Sequence, residues 1–104
     1  MKVTQKANCK NSPKNQTVAD FVHALLTGDE TFVNEKYDAG IESVGLPPLE
    51  NVKEITIDSA ISHGKEAACL CTYNLNEKTH HIGFFLEFTT HKATAFASIV
   101  VTSH

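Results

Sequence analysis

The sequence contains no arginine. Its nine basic side chains are all lysines, set against twelve acidic ones, and the net charge is −3. Nucleic-acid binders rely on clustered basic residues and on the arginine fork, whereas these lysines are scattered. Nucleic acid is therefore not expected as a partner. The same absence removes the bidentate clamp for a carboxylate or phosphate substrate. No apolar run approaches the ~20 residues of a membrane helix, so no membrane partner is expected. Met1 to Gln16 is polar and lacks the apolar stretch of a secretion signal. The three cysteines are an odd count, which argues against a disulfide framework. These absences together describe a cytoplasmic protein.

The 104 residues suffice for one domain, and 41% hydrophobic against 20% charged residues is the balance of a globular core. Residues 1–12 read as a flexible leader, being polar and without periodicity. Ser12-Pro13 is a helix start, with serine as the cap and proline in the first turn. Val18, Phe21, Val22, Leu25 and Leu26 then line one helical face. Gly28 stops that helix, and Asp29-Glu30 opens a shorter one carrying Phe32, Val33 and Tyr37. Ile41 to Val44 suggests a short strand, and Gly45-Leu46-Pro47-Pro48 a loop.

From Val52 the period changes to two. Runs at 53–62, 66–75, 80–89 and 93–102, separated by short polar turns, predict an antiparallel meander. A three-residue loop at 63–65 would set Ile55, Ile57, Ser59 and Ile61 opposite Tyr73, Cys71, Cys69 and Ala67. A turn centred on Glu77-Lys78 would pair Ile82, Phe84 and Leu86 with Tyr73, Cys71 and Cys69. Ala95, Ala97, Ile99 and Val101 would complete this apolar face, and the helices should cover it. The other face is polar except for Leu70, Phe85, Phe96 and Val100. A contiguous apolar patch there predicts a homodimer interface.

The stretch Asp20-Phe21-Val22-His23-Ala24-Leu25-Leu26-Thr27-Gly28-Asp29 resembles the first helix of the NTF2-like superfamily, which includes SnoaL-like cyclases and ketosteroid isomerase. Gly64 to Tyr73 is similar to that family's central strand. Phe84-Phe85-Leu86-Glu87-Phe88 with Ile99-Val100-Val101 is similar to its last hairpin. The resemblance covers residues 13–104. It implies an α+β fold: two N-terminal helices on a curved, four- to five-stranded, mostly antiparallel sheet, forming a cone with a pocket. It departs from the family between Gly45 and Asn51, where two prolines leave no room for the usual third helix.

The isomerase needs a general base and two oxyanion donors. Carried over by the resemblance, the donor positions fall on Phe21 and Phe84, which have no donor. The base position falls on Ser43 or Val44, and Glu42 beside it faces the other way. Isomerase chemistry is therefore not expected. His80 and His81 point to opposite faces of a strand and cannot chelate one metal. His80 also lies too far along the sheet from Cys69 and Cys71 for a zinc site, so no metal or other cofactor is expected. Cys71 has no predicted base beside it, and His23 sits on a helix flank.

Tyr37, Ser59 and Tyr73 remain as polar groups able to orient a ligand, with Phe21, Cys71 and Phe84 as the apolar lining. The main expectation is a module that binds a small apolar ligand between helices and sheet. A divergent enzyme using Tyr37, Tyr73 or a histidine, and a dimerisation scaffold without ligand, remain open beside it.

Overall fold

Helix α1 (Pro13–Thr27) begins where Ser12 and Pro13 predict it. The Ser12 hydroxyl accepts the Asn15 N–H at 3.1 Å and satisfies an otherwise orphaned donor of the first turn. Gly28 ends the helix at φ +75°, a left-handed conformation that favours glycine. Asp29 caps α2 (Glu30–Lys36) by accepting the Phe32 N–H at 3.2 Å. The computed structural model describes residues 1–6, 9, 11–92 and 94–104.

Among the described residues, five strands follow chain order across one sheet: β1 (Lys2–Gln5), β2 (Glu54–His63), β3 (Glu66–Leu75), β4 (Lys78–Phe88) and β5 (Phe96–Ser103). β1 pairs with β2 in parallel, and the other three pairings are antiparallel. The architecture is α+β, with two helices against a curved, unclosed mixed sheet.

Two segments depart from the sequence reading. Of the leader expected over residues 1–12, described parts belong to the fold. Lys2–Gln5 is an edge strand of the sheet, and Cys9 is fully buried. Four residues are too few for alternation to be legible. Residues 7, 8 and 10 of that stretch lie outside the described residues. The strand expected at Ile41 to Val44 is a short 3-10 helix, Ile41–Ser43. There the Ser43 hydroxyl donates to the Gly40 carbonyl at 2.8 Å, a local bond that competes with strand pairing.

Turns and bulges correct the register. The first hairpin has a two-residue loop, Gly64-Lys65, because His63 pairs with Glu66 and Gly64 takes φ +61°. A bulge between Ile57 and Ser59 absorbs the odd residue, so Ile55 and Ile57 still face Tyr73 and Cys71. Beyond the bulge the faces exchange. Ala60 turns into the core, while Ser59, paired with Leu70, and Ile61 turn outward. In the second hairpin Asn76 and Glu77 form the turn at φ +53° and +64°. Ile82, Phe84 and Leu86 therefore meet Cys71, Cys69 and Ala67, two residues from the expected pairing. A shift of two keeps the face.

The last strand carries the largest correction. It begins at Phe96, not at 93, and Ala93 lies outside the described residues. A bulge opposite Glu87 and Phe88 pairs Phe88 with Phe96 and leaves Ala97 exposed. Phe96 is thereby only 2% exposed and belongs to the core, not to the outer face. Its ring stacks on Phe21 at 4.2 Å and on Phe88 at 4.7 Å between centroids. This three-ring stack ties α1 to β4 and β5. The same buried core holds Val18, Val22, Leu25, Ile55, Ile57 and Phe84.

Candidate functional site

The strand pairings arrange the outer face of the sheet in rows. Ile61 pairs with Ala68, Ala68 with Phe85, and Phe85 with Val100, so one apolar row crosses β2 to β5. Ile61 is 63% exposed, Phe85 54%, Val100 57% and Leu70, in the next row, 42%. A shallow cavity of about 450 Å³ lies along this row, edged by Glu66, Glu87 and Ser98. Ile61 is a member that the sequence reading missed, because the bulge at Asp58 is what turns it outward. Gly83 pairs with Leu70 in that next row. A Cβ added there would stand 2.9 Å from the Thr102 hydroxyl and 3.5 Å from the Phe85 ring.

Beside the apolar row runs a polar network. The Thr72 hydroxyl donates to Asp58 Oδ2 at 2.5 Å, a length typical of a charge-assisted bond. Thr72 Oγ1 is also 3.2 Å from His81 Nδ1. The hydroxyl has one proton. With it on the carboxylate side, the oxygen accepts from His81 Nδ1–H. Lys6 Nζ holds Asp58 Oδ1 at 3.0 Å from β1's side of the sheet. His104 lies directly across from His81, the two exchanging backbone bonds of 2.9 Å. Lys6 reaches this face only because β1 joins the sheet, which nothing in the sequence pattern predicts.

The expected ligand-binding residues are not gathered around an open space. Phe21, Cys71 and Phe84 have no exposed surface and fill the layer between helices and sheet. Tyr73 is 7% exposed, and its ring stacks on His80 at 5.1 Å. Tyr37 is half-buried and bridges to Phe96. Ser59 is on the opposite face of the sheet from these groups. Tyr73 does border a polar groove of about 560 Å³ together with Lys6, Glu54, Asp58 and Thr72. A third hollow, about 390 Å³, lies beside α1. There Gln5 links Asp20 at 3.2 Å to His23 at 3.3 Å.

The three thiols are buried. The hydrogen bond with Cys71 and then burial push the Cys69 thiol far above its ordinary range, and burial pushes Cys9 up. A thiol so placed is no nucleophile. It also makes stability pH-dependent. The folded state keeps the proton, whereas the unfolded thiol loses it above an ordinary value near 9.0. Stability is therefore full below that value and falls as pH rises past it, by about 1.4 kcal/mol per pH unit for each such thiol. Urea midpoints should drop between about pH 8 and 10, and less steeply in Cys69→Ala. An unchanged slope in that variant would contradict the assignment.

Among the described residues, no group of three or more His, Cys, Asp or Glu side chains is placed to hold a metal ion. No helix among them is long and apolar enough to cross a membrane. Compared with family models, curated proteins and solved structures, the chain matches none.

Proposed function

We propose that this chain is a self-associating module in which the outer sheet face is the contact surface and a second copy is the partner. The observation that carries this is the continuous exposed row Ile61–Ala68–Phe85–Val100, with Leu70 beside it. Covering such a row removes apolar surface from water, which favours association by about 25 cal/mol per Å² before the costs of docking. The filled layer at Phe21, Cys71 and Phe84 favours this scaffold reading over a small apolar ligand held between helices and sheet. The NTF2-like plan is part of the reading, supported by α1 lying on a long meander with α2 packed against α1. A reducing compartment such as the cytoplasm suits three buried thiols.

Sedimentation or light scattering tests it. The protein should run at twice its chain mass of 11.4 kDa. Phe85→Lys places a charge in the centre of the row. It should weaken the dimer by on the order of a hundredfold or more, as for a central aromatic anchor, with the circular dichroism unchanged. A wild-type chain that stays monomeric at ~100 μM, where weak complexes of standard interfaces still form, would refute the proposal.

A further inference from the structure

We infer that the second copy docks in one particular two-fold orientation, which sets the acidic end of each outer face over the histidine end of the other. The inference rests on the self-association proposed above. Two sheet faces can be related by an in-plane two-fold axis running either along the strands or across them. The rows on β3 to β5 decide between the two.

From one end of the face to the other, the rows are Thr72–His81–His104, Leu70–Gly83–Thr102, Ala68–Phe85–Val100 and Glu66–Glu87–Ser98. An axis along the strands would keep each row over the same row of the second copy. With that axis between β3 and β4, at the middle of the face, Glu66 would lie over Glu87 of the second copy and His63, which pairs with Glu66 in the same row, over Ser98, so the like charges stay unrelieved and oppose docking. An axis across the strands, between the two middle rows, exchanges the first row with the last and the second with the third. Glu87 then lies over His81 of the second copy. Phe85 lies over Gly83, and Leu70 over Ala68. Acid meets imidazole, and each large side chain meets a small one. Within its own chain His81 faces Thr72, with Asp58 and Lys6 behind it, and His104 across the strand pair. These groups leave the ring's Nε2 edge to the second copy's carboxylate.

The two orientations predict opposite signs for one substitution. Glu87→Gln removes the partner of His81 in the orientation inferred here, but relieves repulsion in the other. Measured by sedimentation at low salt and about pH 6, where histidines in general carry charge, Glu87→Gln should weaken the dimer about three- to tenfold. In a His81→Gln background the same change should have less than about a twofold effect, because the two groups act as one pair. A tighter or unchanged dimer on Glu87→Gln, or fully additive losses in the double variant, overturns the orientation while leaving self-association intact. A monomeric wild type overturns self-association itself, so the two failures are distinguishable.

Discussion

Phe96→Ala is expected to remove about 3–5 kcal/mol of stability, the usual cost of truncating a buried phenylalanine. A domain of this size has only about 5–15 kcal/mol in total. The variant should therefore melt on the order of 15 °C or more below the wild type, or fail to fold at all. The reason is position. Phe96 is the middle ring of the Phe21–Phe96–Phe88 stack, so its loss opens a cavity where α1, β4 and β5 meet. Partial collapse of neighbours will not refill it, because both flanking rings are fully buried. Phe96→Leu keeps most of the volume and should cost less than about 2 kcal/mol. Urea titration at low protein concentration separates this from any effect on association. A loss below about 1 kcal/mol for Phe96→Ala would be the signature of a surface residue and would sink the core assignment.

The second large effect concerns the N-terminal strand. Deleting residues 1–6 removes β1 and with it the ladder to β2, including the bonds Lys2 N–H to Lys53 O at 2.9 Å and Lys6 N–H to Ile57 O at 3.0 Å. Each such bond has a net worth of about 0.5–1.5 kcal/mol. The partly buried Val3 and the Gln5 bonds to Asp20 and Gln16 go with it. The Lys6–Asp58 pair, open to water on the lysine side, adds little. A total loss of about 2–5 kcal/mol follows from a handful of such bonds. The truncated chain also presents β2, ten residues long, as a bare edge open to strand addition. It should show a lower urea midpoint and a stronger tendency to aggregate, with faster amide exchange along β2. Equal midpoints for the truncated and full chains would mean that residues 1–6 are dispensable after all.

These two residue sets also mark where reading the sequence stops. Val18, Phe21, Val22, Leu25 and Leu26 recur with helical period between a serine cap and a glycine stop. Each signal is local, and the helix formed within those bounds. Alternation from Glu54 onward likewise identified β2, β3 and β4, since period two needs no knowledge of partners. The two hairpins after β2 and β3 were legible as turns but not as turn types. Whether Gly64-Lys65 or His63-Gly64-Lys65 closes the loop depends on whether a bulge forms at Asp58, five residues back along the strand, or ~16 Å at ~3.3 Å each.

The candidate surface was half legible for the same reason. Leu70, Phe85 and Val100 fall outward by simple alternation and were found. Ile61 and Phe96 exchanged places across the sheet, because one extra residue at Asp58 and another at Ala97 reverse every side chain beyond them. A one-residue insertion leaves no mark in hydrophobic pattern when residues of both faces are apolar, as with Ala60 and Ile61 or Phe96 and Ala97. The sequence by itself determined the two helices, the four-strand meander, the apolar inner face of the sheet and an apolar patch on its outer face. Only the tertiary structure decided which phenylalanine is core and which is surface, that Lys2–Gln5 completes the sheet, and that Asp58, Thr72 and His81 form one chain of bonds. Those outcomes depend on pairing between segments up to about fifty residues apart, an energy that no local window of the sequence contains.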